Sequence, residues 1–189
     1  MREPRTASGT GPGAPAAADG ADGRRRAPLA WLWAALVLVV VVALDQLSKH
    51  AIETSIVPGE EQKVLPGIQL VDTRNKGVAF GFFPGNHLLV TILIGLALAV
   101  LLAYFARHAS RALMWLPTGM IAGGALGNVL DRLRHGSVTD FIKLPLGWPP
   151  FNLADSSITL GVLILFIVID RSRQPHPAQA QPRPRAERP

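Results

Sequence analysis

"FNLADSSITL" (151–160) leads straight into an apolar stretch, Ile158 to Ile169, that stops at "DRSR" (170–173). Ile158–Ile169 is too short to cross a bilayer, which takes about 20 residues at 1.5 Å each. A spanning helix must therefore begin several residues earlier, and that draws Asp155 into or against the membrane. A carboxylate at that depth calls for a reason, because charged groups there are costly and mark function or mutual pairing.

Three further apolar runs lie upstream: "LAWLWAALVLVVVVAL" (29–44), "LLVTILIGLALAVLLAYFA" (88–106) and "ALMWLPTGMIAGGALGNVL" (112–130). With the 158–169 run they make four spans. The first is read as a span rather than a cleaved leader, because its basic cluster lies behind a long tail and no A-x-A pattern follows it. Gly119, Gly123 and Gly127 are spaced four apart in the third run, with Gly124 beside them, a pattern that lets helices approach closely in lipid. The predicted fold is mainly α and integral to the membrane. It has four transmembrane helices, with short extended strands in 51–87 forming a small β-cradle between helices 1 and 2. "GVAFGFF" (77–83) reads as a lip resting on the membrane surface.

Composition agrees. The chain of 189 residues is 49% hydrophobic with a mean hydropathy of +0.28 and a net charge of +6. Its apolar residues concentrate in 28–170. Residues 1–27 and 171–189 are Ala, Gly, Pro, Gln and Arg-rich and read as disordered tails. The basic residues flank apolar runs, which favours contact with anionic lipid over nucleic-acid binding. Arg24–Arg26, Arg107, Arg111, Arg171 and Arg173 fall on one side, so both termini are expected in the cytoplasm and the loops 51–87 and 131–154 outside. Lys49, Lys76, Arg132, Arg134 and Lys143 break that rule, which suggests other work for them. The absence of cysteine excludes disulfides and thiol catalysis.

Polar clusters gather at the outward span ends. Asp45 and Lys49 are four apart and able to pair. Asn75 and Lys76 precede span two; Asn128, Asp131 and Arg132 end span three; Asn152 and Asp155 begin span four. Asp131 with Arg132 is a further candidate ion pair. Asp140, in "SVTDFI", and Asp155 each sit among apolar neighbours, and "KLPLGWPP" between them can turn the chain back so that they meet. Two carboxylates sharing one site split their pKa values and supply a general acid and a general base together. The alternative is that each pairs with Arg132, Arg134 or Lys143. No G-x-S-x-G elbow, H-E-x-x-H motif, phosphate loop or dinucleotide fingerprint is present.

Taken in order, "DQLSK" (45–49), "NKGVAFG" (75–81), "GGALGNVLDR" (123–132), "VTDF" (138–141) and "FNLAD" (151–155) resemble the lipoprotein signal peptidases, or signal peptidase II. The resemblance implies an aspartic endopeptidase of the bacterial cytoplasmic membrane. It would remove the signal peptide of a diacylglyceryl-modified prolipoprotein, cutting before the lipidated Cys. It implies Asp140 and Asp155 as the catalytic pair, with Asp45, Lys49, Asn75, Gly124, Asn128, Asp131, Arg132 and Asn152 holding substrate or shaping the site near the extracytoplasmic face. Prolipoproteins and membrane lipids are the implied partners, with no nucleic acid, no metal, no cofactor and a monomeric state. The stretch between the two aspartates is short for the family. A proton-coupled carrier or a membrane scaffold with merely paired polar ends are the rival readings.

Overall fold

The computed structural model describes residues 18–77 and 87–171, with side chains over 27–77 and 88–171. The lip after Gly77, the first part of the N-terminal tail and the C-terminal tail lie outside the described residues. The elements run α1 (Ala18–Ser55), β1 (Glu61–Leu65), β2 (Ile68–Asn75), α2 (His87–His108), α3 (Trp115–His135), β3 (Val138–Lys143) and α4 (Leu153–Arg171).

Among the described residues three helices are long and apolar enough to cross a membrane: Ala27–Ser55 within α1, Leu88–His108 and Leu153–Arg171. Their large apolar side chains face outward, Val39 and Val40 on α1, Leu96 and Val100 on α2, Leu163 and Phe166 on α4. In water this pattern would be inverted; in lipid it is the favourable one. α4 starts at Leu153 rather than Ile158, and its 19 residues reach roughly 28 Å at 1.5 Å each. α1 begins at Ala18, inside the stretch read as tail, where Ala and Arg continue the helix readily.

The third apolar run becomes α3, which is not among the three. It ends in Asp131, Arg132, Arg134 and His135, and it lies between α1 and α4, with α2 packed against it as well. Glycine makes that central position possible. A Cβ on Gly119 or Gly123 would lie within 3 Å of α1 atoms, and one on Gly124 would meet the Ala154 carbonyl oxygen at 2.5 Å. α3 stops at Gly136, which takes a left-handed φ of 68° and donates its N–H to the Arg132 carbonyl.

The expected cradle is present, but its composition needs correction. The sheet is antiparallel with order β1-β2-β3, and its third strand comes from between α3 and α4, not from between helices 1 and 2. "VTDFIK" lies in the connecting stretch between spans three and four, for which the sequence reading places no strand. Its β-branched and aromatic residues pair instead with β2, Thr73 opposite Asp140 and Asn75 opposite Val138. Phe141 packs on Ile52 and Ile56 near the end of α1. Successive strand side chains alternate faces, so burying Phe141 there turns Asp140 the other way, toward α3 and α4.

Candidate active site

α4 opens with a reciprocal cap. The Asn152 side-chain oxygen accepts the Asp155 backbone N–H at 2.9 Å, and Asp155 Oδ2 accepts the Asn152 backbone N–H at 3.2 Å. This is the capping-box geometry, built from Asn and Asp. It fixes the Asp155 rotamer at the helix start. Its other oxygen, Oδ1, accepts from Asn128 Nδ2 of α3 at 2.8 Å.

Asp140 reaches the same point from the sheet. Asn152 Nδ2 donates to its Oδ1 at 2.7 Å, and Asn75 Nδ2 donates to its Oδ2 at 2.8 Å. Asn75 is itself held by the Gly77 N–H on its Oδ1. All four carboxylate oxygens thus accept from amide N–H groups. Among the described residues neither aspartate forms an ion pair, although Lys143 pairs with Glu61 and Arg134 donates to Gln46 Oε1. The rival assignment of the two aspartates to Arg132, Arg134 or Lys143 is therefore not what forms.

With no cation paired to Asp140, burial is the largest influence on its carboxyl. Asp140 is 97% withdrawn from solvent, being 3% exposed. Burial pushes its carboxyl up to about 6, and the charge of Asp155 pushes the same way. The bonds from Asn75 and Asn152 pull it partly back.

Behind the pair lies a charged group that holds α1 to α3. Buried Lys49 donates to Asp45 Oδ2 at 2.8 Å and Asn128 Oδ1 at 3.1 Å, and it lies 2.8 Å from Asp131 Oδ2. Three acceptors match the three N–H bonds of an ammonium. Asp45 Oδ1 accepts the Ala154 N–H at 3.0 Å, which fastens α1 to the first turn of α4. The space for Asp45 exists because residue 127 is glycine; a Cβ there would lie 2.5 Å from Asp45 Oδ2.

The expected Asp45–Lys49 pair forms, but Asp131–Arg132 does not. Adjacent helical residues point about 100° apart and do not face each other. Asp131 goes to Lys49, to Gln46 Nε2 at 2.8 Å and to the Thr139 N–H. Arg132 turns to two carbonyls, Asn128 at 3.1 Å and Gly77 at 3.0 Å, tying α3 to the end of β2.

Four residues here were not singled out from sequence: Gln46, Thr139, Glu53 and Arg74. Gln46, within α1, donates to Asp131 of α3. Thr139, fully buried, donates to Glu53 Oε1 at 2.7 Å and accepts from Arg74 Nη1 at 2.9 Å. Glu53 and Arg74 pair at 3.1 Å and so brace the strand beside Asp140. Among the described residues no group of three or more His, Asp or Glu is placed to hold a metal ion.

Fold and site together define a membrane-integral helix bundle with two amide-held carboxylates at one end, under a small sheet. The family model described as signal peptidase (SPase) II matches residues 37–170. A lipoprotein signal peptidase of Syntrophomonas wolfei is 42% identical over 138 residues, covering 72% of this chain and 91% of that protein. One from Paraburkholderia phymatum is 39% identical over 145 residues, covering 73% and 86%. Two solved structures, each described as a bacterial membrane enzyme obtained by the in meso method, share the fold. They have TM-scores of 0.71 and 0.66 at 30% and 33% identity, and cover 78% and 72% of this chain and 94% and 91% of theirs. The chain belongs to the signal peptidase II family and is a membrane-integral peptidase.

Proposed function

We propose that this protein removes the signal peptide from diacylglyceryl-modified prolipoproteins, cutting before the lipidated Cys, and does so as an aspartic endopeptidase with Asp140 and Asp155 as the catalytic pair. The observation that carries this reading is the double tie through Asn152. One side chain donates to Asp140 at 2.7 Å and caps Asp155 at 2.9 Å, which gathers two carboxylates from separate elements without a cation.

The chemistry follows from an unequal pair. The ionised aspartate takes a proton from water, and the water oxygen bonds to the scissile amide carbon. The protonated aspartate gives its proton to the carbonyl oxygen. Collapse of the tetrahedral intermediate then breaks the C–N bond, and a proton passes to the leaving amine. Burial near Asp155 raises the Asp140 carboxyl to about 6 and so favours a shared proton near neutral pH. Asn75, Arg132 and Asn128 hold the substrate backbone or the carboxylates; Asp45, Lys49, Asp131, Gly124 and Asn152 keep the helices in register beneath them. Residues 28–170 form the peptidase domain, working as a monomer in the cytoplasmic membrane.

α3 makes the fourth crossing in this reading, supported by its 21 residues and its place between two apolar helices. Both termini then lie in the cytoplasm, with the aspartates near the outer face. A substrate anchored in the same membrane meets the site in a plane, which removes much of the entropic cost of encounter.

The test is incubation of the purified protein in detergent or liposomes with a diacylglyceryl-modified prolipoprotein and with its unlipidated twin, scored by gel shift. Processing of the lipidated form alone is expected. Equal cleavage of both, or of neither, defeats the assignment of substrate.

A further inference from the structure

The eight residues Lys143–Pro150 form a closed loop. Its ends are pinned where Ile142 pairs with Phe151, with the Phe151 N–H donating to the Ile142 carbonyl at 3.0 Å and the Ile142 N–H donating back at 2.8 Å. Asp140 lies two residues before this clasp and Asp155 four after it. The loop is therefore mounted on the stem that carries both carboxylates.

Its tip is built against the usual preferences of a water-facing turn. Leu146 is fully exposed and takes a left-handed φ of 66°, followed by Gly147 at 74°. A left-handed residue in a turn is ordinarily Gly, Asn or Asp. Leucine there accepts backbone strain and presents its side chain outward. Trp148, two residues on, is 55% exposed. Beside the loop a shallow groove of about 420 Å³ runs between Pro145 and the β1–β2 turn, where Val64 and Leu65 are also exposed. Lys63 lines the same groove.

We propose that the Leu146–Trp148 tip inserts into the lipid interface at the aspartate end of the bundle and fixes the height of the catalytic stem against the bilayer surface. Three observations select lipid as the occupant. The apolar tip is continuous in chain with α4, which begins at Leu153 and is long and apolar enough to span the membrane. Tryptophan is favoured at the boundary between headgroups and acyl chains, with its ring partly apolar and its N–H near polar groups. Lys63, which lines the neighbouring groove, offers an ammonium that anionic headgroups would attract.

The anchor has a consequence for the site. The clasp joins the base of the loop to the stem that carries the carboxylates, so in this proposal the depth of the tip sets the depth at which a membrane-borne bond is presented to them. The loop thus acts as a depth stop, and it does so whichever face of the membrane the aspartates occupy.

The chain contains no cysteine, so Leu146→Cys gives one unique position for a nitroxide label on the full-length protein. Leu146 touches nothing that the fold needs, and the label replaces an exposed side chain. The protein is reconstituted in phosphatidylcholine–phosphatidylglycerol vesicles, and collision rates with oxygen and with a water-soluble nickel chelate are measured by electron paramagnetic resonance. Glu60→Cys, in the exposed turn before β1, is the aqueous reference. The oxygen-to-nickel ratio at position 146 should exceed that at position 60 at least about threefold, as expected for a residue below the headgroups. Equal ratios overturn the proposal. So does a label that is aqueous in substrate-free vesicles and becomes shielded only when prolipoprotein is added, since that makes the loop a cover over substrate. Neither readout depends on cleavage, so the result stands apart from the peptidase assignment.

Discussion

Asn152 and Asp155 cap each other across the first turn of α4, each side chain accepting the other's backbone N–H. The same Asn152 amide donates to Asp140 at 2.7 Å. Helix capping and site assembly therefore use one residue, and the two roles separate by substitution. Asn152→Ala removes both and should cost about 1 kcal/mol from the lost cap, with cleavage falling at least about 100-fold from misplaced carboxylates. Asn152→Ser restores a capping oxygen, but its shorter hydroxyl replaces the amide that spans to Asp140. It should recover thermal stability in detergent while cleavage stays low. Recovery of both together would show that Asn152 acts only as a cap.

The aspartates themselves should behave as one unit. Asp140→Asn and Asp155→Asn should each reduce single-turnover cleavage by at least about 1,000-fold, and the double variant should be no more than a fewfold worse. The gel-shift assay with lipidated substrate reads this directly. Multiplying losses would mean that the two residues act independently.

Asp140 also makes stability depend on pH in a stated direction. Its folded carboxyl stands at about 6 against an ordinary 3.8. A group whose pKa is raised on folding favours the native state while protonated and opposes it once ionised. The penalty is absent below about pH 4, grows up to about pH 6 and levels above. It approaches ~3 kcal/mol at most, since each unit is worth about 1.4 kcal/mol. Asp140→Asn never ionises there. Its melting temperature relative to wild type should therefore rise between pH 4 and pH 7 and then hold constant. A difference that stays flat across that range would contradict the burial of this carboxyl.

Much of the site was legible because its signals are local. Asp45 with Lys49 and Asn152 with Asp155 lie three or four residues apart on a helix, and that spacing puts them on one face. The four-residue glycine spacing of α3 likewise announced close helix packing. What escaped was long-range. The partner of Asp131 is Lys49, on another helix, and nothing near Asp131 in sequence indicates it. β3 was missed because pairing, not the six residues of "VTDFIK" alone, makes it a strand; its partner β2 lies more than sixty residues away. Thr139 carries no local sign either. Its weight comes from Glu53 and Arg74, which meet only when α1 and β2 are folded against it.

The buried ammonium is a further point of failure. Lys49 is balanced by Asp45 and Asp131 at 2.8 Å each. Lys49→Met keeps most of the volume but leaves two buried carboxylates facing each other, a loss of about 3–5 kcal/mol for a broken buried pair. The variant should insert poorly or melt well below wild type. The added variant Asp131→Asn should restore part of the loss by removing one of the stranded charges. A Lys49→Met protein as stable as wild type would mean that the cluster is solvated.

Glycine positions on α3 should separate packing from catalysis. A methyl on Gly124 would press on the Ala154 carbonyl at 2.5 Å and on Ile158 at 2.8 Å, at the turn that carries Asp155. A methyl on Gly123 would press instead on Leu38 and Val41 of α1, away from that turn. Overpacking of this kind costs about 1–3 kcal/mol, so both variants should melt early. At a temperature where both remain folded, Gly124→Ala should lose cleavage by at least about tenfold because the α4 start is displaced, while Gly123→Ala should keep most of it. Gly95→Ala in α2 meets nothing within 4 Å and should gain up to about 1 kcal/mol from helix propensity alone. Thermal melts and cleavage rates on the three variants together check the argument. If Gly124→Ala cleaves as well as Gly123→Ala, the contact between α3 and the first turn of α4 does not set the position of Asp155.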